Sequence, residues 1–296
     1  MALESVFQEP AAPSSTAEMN PSEPGRPRRV ITLTTDFGLS DHYVGTMKGV
    51  LLSRCPDAQI VDISHEIRPF SIISGAYAID QALSYFPQGS IHVVVIDPGV
   101  GTPRKPLLVE AVGQYFIAPD NGVLSFVLHR DPRAIVWEIS NRNVMMASPS
   151  ATFHGRDIFA PAAAALACGH VKPDDVGPVI AQPIMQADLF PRAVGPNQWR
   201  GIVLSVDHFG NIITNMKASD FPDLASRAFV LRLAGFDITQ MVQTFGAATT
   251  GLTFAYLGSS GFVEIGMNQQ SAAELLKVKE GEPLELLVSM AEGAAT

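Results

Sequence analysis

Between Val30 and Ile96 the chain alternates short, almost wholly apolar runs with stretches of helical period, and this alternation restricts its fold more than any other feature. Val30-Ile-Thr-Leu-Thr34, Gln59-Ile-Val-Asp-Ile63 and Ile91-His-Val-Val-Val-Ile96 are β-branched runs that read as strands, while Gly45 to Arg54 and Ile72 to Phe86 read as helices. A strand this apolar has to be covered on both faces, and strands that alternate with helices are joined by crossovers. Leu107 to Ala111, Tyr115 to Ala118 and Ala134 to Ile139 extend the strand set. Arg156 to Ala167 reads as a helix with Pro161 near its first turn, where a proline is tolerated. The expectation is an α/β domain over residues 30–180 around a central, mostly parallel sheet.

The pattern then changes. Pro178, Pro183, Pro191 and Pro196, with Pro173 nearby, mark residues 181–198 as a linker. Beyond it lie only short strand-like runs: Trp199 to Val206, Ala228 to Leu233, Leu252 to Leu257, Gly261 to Ile265 and Leu284 to Val288. Short strands broken by Gly, Asn and Asp turns predict a smaller all-β, barrel-like domain over residues 199–290. The first 29 residues are rich in Pro, Ser, Ala and Glu and have no hydrophobic period, so residues 1–29 read as a disordered tail. No internal repeat is visible.

Composition excludes several classes. An apolar content of 47% can fill a substantial core. A formal charge of −9 lacks the electrostatic footprint of a nucleic-acid binder. The run Ala162 to Cys168 is far short of a bilayer span, so no membrane partner is expected. Cys55 and Cys168 belong to no CxxC or zinc-type spacing, so neither a disulfide scaffold nor a cysteine zinc site is expected. That usage reads as a reducing compartment, and hence a cytoplasmic protein.

Polar clusters stand at the ends of the proposed strands, where ligands bind in parallel sheets. Thr34-Thr-Asp36-Phe-Gly-Leu-Ser-Asp41 follows the first strand, Asp97-Pro-Gly-Val-Gly-Thr-Pro-Arg104 follows the run ending at Ile96, and Ala118-Pro-Asp120-Asn-Gly122 follows another. Thr152-Phe-His154-Gly-Arg-Asp157 precedes a helix. Each has a bland counterpart: Asp41 as a helix cap, Asp120-Asn-Gly122 as a turn, Asp97 and Arg104 as a plain salt bridge. The loop after Ile96 matches neither GxGxxG nor a phosphate-cradling loop. In the second domain, Asp207-His-Phe-Gly-Asn211 offers a carboxylate and an amide at a strand end, and Ser259-Ser260-Gly261 and Asn268 are further polar candidates.

Taken in order, TTDFG-x-x-D-x-YVG-x-MKG, IDPGVGT-x-R, APDNGVLS, TFHGRD-x-FAPAAA-x-LA and D-x-FGN-x-x-TN resemble the S-adenosyl-L-methionine hydroxide adenosyltransferase family, relatives of the fluorinase and chlorinase enzymes. The resemblance runs from about Val30 to Val288. It implies an α/β domain, a β-barrel-like domain, and a homotrimer with sites at subunit interfaces. It places Asp36 on the ribose hydroxyls, Asp97, Arg104 and His154 on the water, and Asp207, Asn211 and Ser260 on the substrate, with Phe70 packed on its ribose side. The Asp–Arg–His set points to the hydroxide branch, because halogenating relatives differ around Asp97 and His154.

The reaction so implied is hydrolysis of S-adenosyl-L-methionine to adenosine and L-methionine by in-line attack of water at C5′. A sulfonium is already an activated leaving group, so neither a metal nor a cofactor is expected. His154 is favoured over Asp97 as proton acceptor, since an Arg beside a carboxylate weakens it as a base. Three other readings stand beside this one. Asp36, Asp41, Asp97, His154 and Asp157 could ligate a divalent metal in a phosphate-ester hydrolase. The pocket could bind S-adenosylmethionine or adenosine without turnover. A halide could replace water.

Overall fold

The computed structural model describes residues 30–289; the tail expected over residues 1–29 lies outside them. The first domain runs β1 (Val30–Thr35), α1 (Tyr43–Arg54), β2 (Gln59–Ser64), α2 (Ile72–Ala82), β3 (Ile91–Val95), β4 (Pro106–Ala111), β5 (Gln114–Pro119), α3 (Ser125–Arg130), β6 (Ile135–Glu138) and α4 (Ala160–Ala167). Its strands lie in the order β2-β1-β3-β5-β4-β6. β4 is antiparallel to both its neighbours, and the pairings among β2, β1, β3 and β5 are parallel. The sheet is therefore mixed and mostly parallel, as expected.

Alternation along β3 shows how the sheet is covered. Val93 points into one core with Leu33, Met47, Leu51 and Phe159, and Val94 into the other with Ile79, Leu83 and Phe116. Burial on both faces is what a run of β-branched residues stabilises and a polar alternation would not.

The second domain runs β7 (Arg192–Gly195), β8 (Gln198–Val206), β9 (Ile212–Lys217), β10 (Phe229–Leu233), β11 (Phe236–Ile238), β12 (Thr253–Leu257), β13 (Phe262–Met267), α5 (Ala272–Leu276) and β14 (Pro283–Val288). The order is β11-β10-β14-β8-β9-β13-β12, antiparallel throughout, with β7 on β8. A bridge from Met241 to Ala255 brings the chain after β11 onto β12, so the sheet curls nearly into a barrel. β7 lies inside the stretch expected as a linker. An apolar seam joins the domains: Ala76 and Phe126 pack with Leu204, Ile213 and Phe262, and the Tyr77 ring meets Phe262 edge-on at 6.0 Å.

One expectation is overturned. Cys55 and Cys168 form a disulfide, with Cα atoms 5.8 Å apart across 113 residues of sequence. Each cysteine caps the C-terminus of a helix, α1 and α4 respectively, and the packing of these helices against one sheet face brings the ends together. No local motif announces a pair made by packing. By the chain-entropy account, closing a loop of this size is worth about 4–5 kcal/mol relative to the reduced chain.

His92, fully buried in β3, stacks on Phe116 with ring centroids 4.9 Å apart, and its Nδ1 lies 2.7 Å from Thr32 Oγ1. Burial pulls its pKa from 6.5 down to about 4. The native state therefore refuses a proton that the unfolded chain accepts, so stability is complete above pH 6.5 and falls as pH drops toward 4. The loss should reach roughly 3 kcal/mol. Denaturant titrations between pH 7.5 and 4 should show it, and His92→Phe should flatten that part of the profile.

Candidate active site

The carboxyl ends of β1 and β3 are adjacent in the sheet, and they carry Asp36 and Asp97 to one side of it. Asp36 Oδ2 accepts the Phe70 N–H at 2.8 Å, and Phe70 is held at φ +67°, a left-handed conformation uncommon for a side chain of its size. Such strain persists where the surroundings impose it, and it is a mark of functional loops. Burial pushes the Asp36 carboxyl above its ordinary value; the Phe70 N–H opposes this and the nearby Asp97 charge adds to it.

Asp97 and Arg104 form a fork: Arg104 Nε donates to Asp97 Oδ1 at 3.0 Å, and Nη2 donates to Oδ2. Both side chains are almost fully buried, at 7% and 5% exposure for Arg104 and Asp97. Nη2 also lies 2.6 Å from His154 Nδ1, and the guanidinium carbon sits 5.3 Å from the Phe159 ring centroid. A guanidinium only donates, so Nδ1 is the accepting nitrogen and the neutral ring carries its proton on Nε2. Burial lowers the His154 pKa first and the Arg104 charge second, against Asp97, which raises it. The loop that carries the fork is closed tightly: at Gly101, φ +79°, a Cβ would stand 2.5 Å from the Ala151 carbonyl oxygen. His154 itself precedes a π-helical turn, Gly155–Phe159, a local irregularity often found at functional sites.

Asp36, Phe70, Asp97 and His154 line one cavity of about 420 Å³ together with Val100, Phe37, Tyr43 and Phe153. Arg104 joins Asp97 to His154 from the buried side. The three aromatic rings pack with centroids 5.1 to 6.0 Å apart and form an apolar wall. They stand in the TTDFG, YVG and TFHG motifs, although nothing in those motifs assigns them a role. A larger hollow of about 580 Å³ lies between the domains, lined by Arg68, Tyr77, Ser205 and Lys279 among others. It contains no member of the Asp97–Arg104–His154 set, so the smaller cavity is the candidate site.

Asp207, Asn211 and Ser260 form a second polar group in the β domain, outside that cavity. Asp207 Oδ1 accepts the Phe209 and Asn211 N–H groups at 2.9 and 2.8 Å, and Oδ2 accepts Asn211 Nδ2 at 2.8 Å. The side-chain amide oxygen of Asn211 faces Gly266, 3.1 Å from where a Cβ would stand. Ser260 Oγ donates to Glu264 Oε1 at 2.7 Å, and the Tyr256 hydroxyl donates to Oε2 at 2.6 Å. Burial, then the bond to Glu264, holds the Tyr256 hydroxyl far above its ordinary pKa, with Asp207 adding charge. Glu264 was missed from sequence, where it is one residue of a β-branched run.

The bland reading holds for Asp120-Asn-Gly122 and fails for Asp41, because the cap residue of α1 is His42 and no side chain caps that helix. Asp120 Oδ1 accepts the Ile184 N–H at 2.7 Å, which holds the segment before β7, and Asn121 Nδ2 donates to the Ile96 carbonyl at 2.8 Å, which ties the ends of β5 and β3 together. The ligands that a metal site would need are dispersed: Asp97 is bound to Arg104, Asp157 to Arg156 at 2.6 and 2.8 Å, and Asp41 is exposed. Among the described residues no three His, Cys, Asp or Glu side chains gather.

Comparison with known proteins gives a consistent result. Residues 31–177 match the SAM hydroxide adenosyltransferase N-terminal domain and residues 201–285 the C-terminal domain. The chain is 39% identical over 272 residues to an (R)-S-adenosyl-L-methionine hydrolase of Thermus thermophilus, covering 88% of this chain and all of that one. It is 28% identical to a fluorinase of Nocardia brasiliensis, covering 88% of this chain and 97% of that one. The crystal structure of an uncharacterized conserved protein from Thermotoga maritima superposes with a TM-score of 0.79 at 37% identity, over 87% of this chain and 99% of that one.

The fork makes a prediction that needs no ligand. In Arg104→Met the guanidinium no longer occupies Nδ1 and Asp97 is no longer neutralised, so the His154 pKa should rise. NMR titration of the imidazole reads it; an unmoved titration would mean that Arg104 does not set the ring's state.

Proposed function

The chain belongs to the SAM hydroxide adenosyltransferase family, and from that premise we propose that it hydrolyses S-adenosyl-L-methionine to adenosine and L-methionine, acting on the (R) sulfonium epimer. The observation that carries this is the Arg104 fork, which fixes a carboxylate and an imidazole on the wall of a cavity that also holds Asp36 and Phe70. The (R) assignment follows the names of the hydrolase relatives. Their greater similarity also favours water over halide as nucleophile.

In this reading the ribose diol meets Asp36 and the Phe70 ring covers the sugar. Water attacks C5′ opposite the sulfur, the C5′–S pair leaves with methionine as a neutral thioether, and the water proton passes to the enzyme. Asp97 is the acceptor. Arg104 cannot accept a proton, and the His154 lone pair already takes an Arg104 N–H, whereas each Asp97 oxygen keeps a further lone pair. This revises the expectation that His154 is the base; His154 instead orients water with its Nε2 proton. A carboxylate acceptor suffices where the leaving group is a neutral thioether. The reaction is proposed to need neither metal nor cofactor.

The cavity is half a site. All of its lining comes from the α/β domain, while Asp207, Asn211 and Ser260 stand in the other domain. Phe70 at the cavity and Phe209 beside Asp207 are both largely exposed, at 72% and 76%. We propose that the β domain of a neighbouring copy covers the cavity, in a homotrimer with sites between subunits. A cytoplasmic place, where the substrate is, remains part of this proposal, although the Cys55–Cys168 bond removes the cysteine usage as support for it; no helix among the described residues is long and apolar enough to cross a membrane.

Chromatography of reactions with each sulfonium epimer should show adenosine and methionine from the (R) form, undiminished after exhaustive chelation. Asp97→Asn should lower turnover on the order of 10²–10⁴-fold, and Asp36→Ala should mainly raise KM. Tight binding without product would favour a sensor, and a 5′-halonucleoside formed in chloride or fluoride would favour the halogenating branch.

Mixing inactive His154→Ala chains with inactive Asn211→Ala chains under subunit exchange should restore activity, because some interfaces then join two intact halves. A fully active monomer by light scattering would reject the shared site.

A further inference from the structure

At the end of β2, His65 is buried among groups the mechanism does not use. Its Nδ1 lies 2.9 Å from Thr35 Oγ1 and its Nε2 lies 3.1 Å from Asp62 Oδ1; the other Asp62 oxygen takes Lys48 Nζ at 2.6 Å. An acid, an imidazole and a hydroxyl stand here in the order of a nucleophilic triad, but the Nε2–Asp62 contact is a charge approach without hydrogen-bond alignment. Thr35 is fully buried, however, so no substrate reaches its oxygen and a nucleophilic role is excluded.

The order of charges gives the chain a direction. The Asp62 carboxylate favours the ring proton on Nε2, which leaves Nδ1 as an acceptor, and Thr35 must then donate to it. The Thr35 lone pairs turn toward the Phe37 N–H, 3.3 Å away. The following amide, Gly38 N–H, donates to the carbonyl of His65 itself at 2.8 Å. The backbone on both sides of Asp36 is thereby tied to one residue. Phe70, which donates to Asp36 Oδ2, lies farther along the same loop as His65.

We propose that His65 is a positioning residue for nucleoside binding: through Thr35 and the Phe37 and Gly38 amides it fixes the Asp36 carboxylate where a ribose diol meets it. This rests on the ribose reading of Asp36 given above. Because a ribose is bound equally before and during bond cleavage, the loss falls on binding and not on the chemical step.

The test uses the full chain with His65→Leu, His65→Asn, Thr35→Val and Thr35→Ser. Steady-state kinetics, adenosine calorimetry and amide hydrogen exchange are read for each. His65→Leu and Thr35→Val should raise KM and the adenosine Kd about tenfold or more, with kcat within about threefold of wild type. They should also speed exchange at Phe37 and Gly38 while β3 stays protected. His65→Asn, which keeps an acceptor at the Nδ1 position, and Thr35→Ser should restore most of the affinity. A folded His65→Leu or Thr35→Val with unchanged KM, a loss confined to kcat, or an Asn variant no better than Leu would overturn the proposal. If His65→Leu does not fold, the nearly isosteric Thr35→Val decides. If wild-type protein binds no adenosine, the ribose reading fails, and exchange at Phe37 and Gly38 alone decides whether His65 holds the Asp36 loop.

Discussion

A buried guanidinium is tolerated only where its charge is matched, and in this protein the match is Asp97. The rest of the site follows from that pairing. Once Arg104 sits over the Phe159 ring with two donors committed to one carboxylate, its remaining Nη2 hydrogen points at His154 and determines which nitrogen of the ring keeps the lone pair. The loop between Asp97 and Arg104 has little freedom to disturb this, since Gly101 meets the Ala151 carbonyl at a distance that no side chain would allow. One ion pair thus sets the tautomer of a histidine and the course of a loop. A lysine at residue 104 would supply the charge but not the fork, and would leave the ring's orientation open.

The sheet supplies the second constraint. Parallel strands bring their carboxyl ends to one edge, so Asp36 and Asp97 become neighbours without any local sequence relation. Burial first, and the neighbouring Asp97 charge to a smaller degree, raise the pKa of Asp36. The fork limits that repulsion by neutralising Asp97, which leaves Asp36 as the anionic group for hydroxyl donors. Aromatic rings close the wall where no charge is needed.

Much of this was legible in the sequence, and for identifiable reasons. The apolar runs at Val30 to Thr34 and Ile91 to Ile96 could be nothing but covered strands, and Asp97 and Arg104 are bracketed by a turn that Pro98, Gly99, Gly101 and Pro103 constrain. His154 stands 50 residues beyond Arg104, and only the ordered motifs connected them. What stayed hidden was made by packing: the Cys55–Cys168 bond joins two helix ends, Glu264 reads as an ordinary strand position, and His65 is a lone histidine after an apolar run. The ring nitrogen that Arg104 occupies was beyond any sequence pattern, and it is the ground on which Asp97 is proposed as the base. Ile212 to Lys217, which carries the TN of the D-x-FGN-x-x-TN motif, is a buried strand, and the Asn215 amide there bonds the backbone at Ile202 and Asp188.

Charge also explains why the carboxylate that meets water should be paired at all. The proposed substrate is a sulfonium, and its positive charge diminishes at sulfur as the C5′–S bond breaks. An unpaired carboxylate beside it would stabilise the bound substrate more than the transition state, and so slow the reaction that it helps to assemble. A carboxylate already matched to a guanidinium exerts little net field on the sulfonium yet keeps its lone pairs for hydrogen bonding. By this argument the fork separates two properties of Asp97, its charge and its capacity to accept, and retains the one that rises in value along the reaction. Asp36, which the proposal sets at the ribose hydroxyls and not at sulfur, is free of that conflict, in keeping with its having no cationic partner among the described residues.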